Sequence, residues 1–304
     1  DEARQGAIRF SLAQGGPFVA EPGGQSIPPL VELPRLLAAT EHVLAEADDA
    51  ADLRLLLAPG SSLGGARPKA SVRDLDGALA IAKFSTTHDE YNVVLGEALA
   101  LSLASRAGIV VPVWRVEPVG ISTALIVGRF DRNAGRRVPF LSAMSMLGAL
   151  DGEARSYLEI ADALRAHGSS PAEDLRQLWR RMVFTVLVSN TDDHLRNHAF
   201  LHESTAGWRL APAYDINPTP ASVRPRVLST AIDEADTVAS LETVLSVSGY
   251  FGYDVDSARG LIKDVAAVTA GWRDEARRLG LDRRNVDHLE SAFDHEDLRF
   301  ALAL

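Results

Sequence analysis

Apolar positions follow strand-like runs in the first part of this chain and helical spacing in the second. Residues 28–57 read as mostly helical, with Leu30, Val31, Leu33, Leu36 and Leu37 on the apolar stripe and Pro34 expected to interrupt it. Short apolar runs at 69–72 and 78–84, joined by a turn over 74–77, predict two strands. Residues 89–107 predict a helix: Asp89 and Glu90 suit its N-terminal dipole, Val93, Val94, Ala98 and Leu101 recur on it, and Gly108 ends it. A hairpin is expected from 111–116 and 121–130, turning at 118–120, and residues 7–10 form one more strand-like run in a Gly-rich start. From Leu141 onward helical patterns dominate, above all at 172–188, 254–268 and 270–279. The change near residue 135 predicts an α+β chain of two lobes, a sheet-containing lobe over 1–135 and an all-helical lobe over 136–304, with a cleft between them.

Composition narrows the chemistry. A length of 304 residues supports one large or two ordinary domains without covalent staples. The absence of cysteine excludes a disulfide framework and a thiolate metal site, and fits a reducing cytoplasm. A net charge of −10 gives no reason to expect direct nucleic-acid binding by the chain as a whole. The most apolar regions, 95–113 and 121–127, are broken by Arg106 and Pro112 or too short to span a membrane. The start, Asp-Glu-Ala-Arg, has neither an initiator Met nor a leader and suggests a piece of something longer.

The polar residues that stand out are Ser-Asn-Thr-Asp-Asp-His-Leu-Arg-Asn-His (189–198) and Tyr-Asp-Ile-Asn-Pro (214–218), each flanked by apolar segments. Asp192 precedes Asn197 by five residues, and Asp215 follows after an apolar stretch. Protein kinases use this spacing for an acid that orients the acceptor hydroxyl, an amide that holds metal and a second acid on metal. Oxygen donors of this kind suit Mg²⁺, which takes few protein ligands and completes its shell with phosphate and water. A solvated cap at the end of a helix would also use Asp192 or Asp193. A histidine-bound metal at His194 and His198 is the weaker reading, because their segment reads as a loop. Earlier in the chain, residues 60–67 form a Gly-rich loop able to approach phosphate, although it lacks the P-loop Gly-Lys-Ser/Thr ending. Lys83 in an apolar strand and Glu97 on the apolar stripe of the next helix are costly as isolated charges, and together suggest a phosphate-orienting pair. Residues 124–130, followed by Asp131, suit a strand-to-hinge segment for adenine.

In order, Ser-Ser-Leu-Gly-Gly-Ala-Arg-Pro-Lys (61–69), Ile-Ala-Lys-Phe, Glu97, Gly-Arg-Phe-Asp-Arg and the two polar clusters resemble the HipA family of bacterial serine/threonine kinase toxins. The resemblance runs from about Gly6 to Pro218. It implies a bilobal protein-kinase-like fold that uses ATP and Mg²⁺. By resemblance, Asp192 is the catalytic base, Asn197 and Asp215 are the Mg²⁺ ligands, and Lys83, supported by Glu97, binds phosphate. Ser62, Gly64, Gly65, Ala66 and Lys69 would cover the ATP phosphates, and Phe130, Asp131 and His194 would complete the nucleotide site. Ser62 matches the loop serine that family members autophosphorylate, with Ser61 as second choice. Phosphate there adds about −2 charge where the nucleotide's phosphates must sit. Expected partners are a DNA-binding HipB-like antitoxin and a protein substrate such as an aminoacyl-tRNA synthetase or another translation component. Two alternatives share the motifs: a small-molecule phosphotransferase, and a non-catalytic nucleotide-binding subunit of an antitoxin–DNA repressor complex.

Overall fold

The computed structural model describes residues 2–19, 27–44, 68–85, 89–204 and 206–304. The chain divides into two compact units, residues 1–90 with 112–140 and residues 91–111 with 141–304.

The first unit is built on an antiparallel sheet of β1 (Lys69–Arg73), β2 (Leu79–Phe84), β3 (Trp114–Val119) and β4 (Ser122–Gly128), in the order β1-β2-β4-β3. Ala70, Ala82 and Ile126 lie opposite one another across three strands, so their side chains share a face. With Val72, Ala80, Phe84, Val119 and Ala124 they form the core against Leu30, Leu33, Leu36 and Leu37. The last three belong to helix α1 (Leu33–Leu44). Pro34 does not interrupt this helix as expected. It sits in the first turn, where a backbone N–H has no helical partner to lose. Pro118 likewise lies inside β3, opposite Thr123, and not in the turn. An edge strand tolerates it, and Gly120, at φ +59°, makes the turn instead. The strand expected over residues 7–10 is absent; an isolated bridge pairs Ser11 with Phe18.

The second unit contains helices α2 (Val93–Arg106), α3 (Tyr157–His167), α4 (Pro171–Leu187), α5 (Val255–Ala270), α6 (Trp272–Arg278), α7 (Arg283–Phe293) and α8 (Glu296–Ala303). The first of these starts later than residue 89, because Asn92 caps it by accepting from the Leu95 amide at 3.0 Å. Helix α4 runs through the core with Trp179, Met182, Val183, Phe184 and Val186 fully or almost fully buried, and its indole Trp179 Nε1 donates to the Val244 carbonyl at 3.1 Å. This unit is not all-helical. A three-stranded sheet has β5 (Phe140–Ser142, with Leu141 and Ser142 in this unit), β6 (Ala199–Ser204) and β7 (Gly207–Leu210) in that order, and β6 and β7 carry the chain from the end of one polar cluster to the start of the other. Its strands are short, so helical periodicity outweighs them in the linear pattern. Among the described residues no helix is long and apolar enough to cross a membrane.

Candidate active site

Helix α4 ends at Leu187, and the chain turns at Ser189, whose φ is +51°. The segment 189–198 then returns to β6 at Ala199, and the β6–β7 hairpin delivers residues 211–219 back beside it. Three hydrogen bonds tie the two segments together. The Asn217 amide donates to Asn190 Oδ1 at 3.1 Å, the Thr219 amide to the Ser189 carbonyl at 3.1 Å, and the Tyr214 hydroxyl to the Arg196 carbonyl at 2.6 Å. The segments bearing Asp192, Asn197 and Asp215 therefore converge, although about twenty residues of sequence separate the acids.

Asp215 takes a left-handed backbone, φ +58°, and its Oδ1 accepts from Asn217 Nδ2 at 3.3 Å. Non-glycine residues rarely hold this conformation, and those that do concentrate at functional sites. Asn197 is buried, and its Nδ2 donates to the Asp192 carbonyl at 3.1 Å. That bond orients the amide so that Oδ1 is the atom available for a ligand.

The neighbouring acids 192 and 193 differ sharply. Asp192 is 65% exposed, and its Oδ1 is 3.2 Å from Arg224 Nη1. Asp193 is 7% exposed, and its Oδ2 accepts from Tyr157 Oη, from Thr185 Oγ1 at 3.3 Å and from His198 Nε2 at 3.1 Å. Burial pushes the Asp193 carboxyl up, but His198, Tyr157 and Thr185 outweigh it and hold the group below its ordinary range. Burial, with Asp193 beside it, raises Tyr157 far above the ordinary phenol value, so Tyr157 stays a donor. The same burial lowers Arg181 to about 10. Arg181 Nε and His198 Nδ1 are buried without a protein partner, and both residues line a cavity of about 20 Å³ together with Asn190, Asp193, Asn197 and Tyr214. Such a space holds about one water.

Oxygen donors suited to Mg²⁺ are thus present in Asp215 and Asn197. Among the described residues no three His, Asp or Glu side chains come together as a metal-ligand set. His194, in the same loop, has its Nδ1 buried without a hydrogen-bond partner.

The remaining expected residues belong to other elements. Lys69 and Lys83 are direct cross-strand partners on β1 and β2, so both side chains leave the same face of the sheet. Glu97 is buried within α2. Phe130 packs against Phe140, with ring centroids 6.4 Å apart. The buried Asp131 carboxylate accepts from Arg129 at 2.6 and 2.7 Å, from Arg132 at 2.8 Å and from the Gly6 amide at 2.7 Å. Ser61, Ser62, Gly64, Gly65 and Ala66 lie outside the described residues.

Several residues of this site were not singled out by the linear pattern. Asn190 and Asn217 stood inside the two polar clusters without a role. Tyr157 and Thr185 carry no sequence signal, as each is an ordinary polar residue on a helix. Arg224 is marked only by its place between Pro220 and Pro225.

Residues 61–272 match the family described as HipA-like C-terminal domain. A stretch of 102 residues is 28% identical to a presumed kinase of Haemophilus influenzae, covering 30% of this chain and 30% of that protein's length. Among solved structures, the HipA–HipB toxin–antitoxin complex with operator DNA from Shewanella oneidensis superposes with a TM-score of 0.68 at 17% identity, over 95% of this chain and 73% of that one. The Helicobacter pylori proinflammatory kinase CtkA gives 0.57 at 15% identity, over 77% of this chain and 93% of that one. These likenesses support a shared fold.

Proposed function

This chain belongs to the HipA-like C-terminal domain family, and on that premise we propose that it is an ATP-dependent serine/threonine protein kinase, the toxin of a toxin–antitoxin pair. What supports this most is the convergence of the two loops through the Asn190–Asn217 and Ser189–Thr219 hydrogen bonds, with Asp215 left-handed beside them. In this reading Asp192, exposed and able to reach an acceptor, orients the attacking hydroxyl and takes up its proton. Asn197 and Asp215 would hold Mg²⁺, which when bound neutralises charge on the nucleotide's phosphates. The protein's own part is positioning and charge stabilisation.

Lys69, Lys83, Glu97, Phe130 and His194 enter the proposal as nucleotide-side residues on the strength of the family resemblance. Two ammonium groups on one face of a sheet suit phosphate oxygens. Asp131, its carboxylate already engaged by two arginines and an amide, would contribute backbone only. Self-modification at Ser62, or failing that Ser61, is proposed as the off-switch. A HipB-like antitoxin and a protein substrate among the translation components are the proposed partners.

The test is incubation with γ-labelled ATP and Mg²⁺, with and without cell extract. Label on a protein seryl or threonyl residue supports the reading. Label on a free small molecule would favour a small-molecule phosphotransferase, and nucleotide binding without transfer would favour a non-catalytic subunit. Ser62→Ala should abolish label in the chain itself while leaving ATP binding intact.

A further inference from the structure

Asp193 takes no part in the chemistry proposed above, yet its buried carboxylate accepts three side-chain hydrogen bonds beside it. Its carboxylate gathers Tyr157 from α3, Thr185 from α4 and His198 from the residue before β6, while its own carbonyl accepts from Thr230 Oγ1 at 2.6 Å. A buried charge keeps its place only while such partners hold it, so the carboxylate ties this residue to three separate parts of the unit, and its backbone carbonyl adds a fourth.

The fixing extends to both functional neighbours through a closed circuit. Asp193 is peptide-bonded to Asp192. It is hydrogen-bonded at 3.1 Å to His198, which is peptide-bonded to Asn197, and Asn197 Nδ2 returns to the Asp192 carbonyl at 3.1 Å. Two covalent links and two hydrogen bonds therefore place an exposed acid and a buried amide relative to each other, with Asp193 at the corner that reaches the core. We propose that Asp193, held by Tyr157 and Thr185, is a positioning residue that sets Asp192 and Asn197 in register without touching substrate. The inference rests on the kinase reading for its effect on rate, though not for its effect on the loop.

Two measurements on the full chain test it: transfer from γ-labelled ATP with Mg²⁺ to the chain or to extract proteins, and hydrogen exchange of the amides at 190–198. Asp193→Asn keeps an acceptor oxygen, and Tyr157→Phe removes one donor and leaves the charge. A misplacement of the order of an ångström costs about 100-fold in rate. Asp193→Asn is expected to lose about that much in kcat, and Tyr157→Phe about ten-fold. In both variants the 192–197 amides should exchange faster while those of α5 and α8 do not. A structural role alone would loosen all of these together. If Asp193→Asn fails to fold, Tyr157→Phe decides: wild-type kcat and wild-type exchange overturn the proposal. If the wild-type chain transfers no phosphate, the kinase reading falls, and exchange alone judges the anchor. Faster loop exchange in Tyr157→Phe then supports it, and unchanged exchange overturns it.

Discussion

The Arg224 guanidinium lies 3.2 Å from the carboxylate of Asp192, on the exposed side of the loop that carries the proposed base. Arg224 ends a turn that starts at Pro220, whose carbonyl accepts from the Val223 and Arg224 amides, and Pro225 follows it. The turn presents the arginine from outside, where an acceptor hydroxyl would also approach. An exposed pair of this kind contributes about 0–1 kcal/mol to stability. Asp192→Asn and Arg224→Ala should therefore both melt within about 4 °C of wild type. Their activities should separate. Removing a general base costs about 10²–10⁴-fold, so Asp192→Asn should be nearly dead, while Arg224→Ala retains transfer. Wild-type transfer by Asp192→Asn would remove it from the mechanism.

Asp215 allows backbone and ligand roles to be tested apart. Its left-handed φ of +58° is tolerated by Asp and Asn, whereas a side chain without a local polar partner pays about 1–2 kcal/mol there. Asp215→Asn should melt like wild type, and Asp215→Ala should be less stable by about 1 kcal/mol, a shift of roughly 2–4 °C. Both should lose Mg²⁺-dependent ATP binding in calorimetric titration, since neither keeps an anionic oxygen. Equal melting temperatures for the two variants would contradict the strained backbone, and Mg²⁺-dependent binding retained by either would contradict the ligand assignment.

A third prediction concerns the hairpin that returns the chain to the site. Gly207 opens β7 at φ +125°, and a Cβ there would stand 2.6 Å from the His167 carbonyl. That carbonyl belongs to the last residue of α3, so little can yield. Gly207→Ala should lose about 2 kcal/mol or more, from strained backbone together with overpacking. A melting temperature equal to that of wild type would show that the hairpin can slide past α3. Because the hairpin leads directly to Tyr214 and Asp215, activity should fall even where the variant remains folded.

The residues of the proposed chemistry were legible because charge and amide stand out against apolar flanks. Asp192 and Asn197 lie in a polar cluster between the apolar runs 186–188 and 199–201, Asp215 stands between Tyr214 and Ile216, and their order alone suggested two loops. What joins the loops was not legible. Asn190 and Asn217 look like any turn residues, and only the return path of β6 and β7 makes them partners. The distinction between Asp192 and Asp193 was equally hidden, since two adjacent acids read alike until one is known to point into a core containing Tyr157 and Thr185. Helix limits moved for local reasons of the same kind. Asn92 took the cap that Asp89 and Glu90 were expected to support, and Pro34 opened a helix it was expected to break. These outcomes depend on which atoms meet, and spacing carries periodicity but not meeting points.

The acid side of the stability profile should bear the signature of one histidine. His295 is 9% exposed, and its Nε2 donates at 3.1 Å to the carbonyl of Leu187, the residue that ends α4 before the proposed catalytic loop. Its Nδ1 is buried without a hydrogen-bond partner. Burial, reinforced by repulsion from Arg226 and opposed by Asp297, lowers the imidazole from 6.5 to about 4. Between those values the unfolded chain binds a proton that the folded chain refuses, so stability is full above pH 6.5 and declines as pH falls toward 4. The whole shift corresponds to at most about 3 kcal/mol. Glu275 acts in a lower window. Arg278 and Ser102 outweigh its burial and hold it at about 2 against an ordinary 4.5, so its contribution is lost only as pH falls below 4.5. The slope of melting temperature between pH 6.5 and 5 therefore contains the contribution of His295 and not that of Glu275. His295→Gln, which cannot titrate, should flatten that slope and leave the steeper loss below pH 4.5 in place. A wild-type slope in the variant would show that another group refuses the proton.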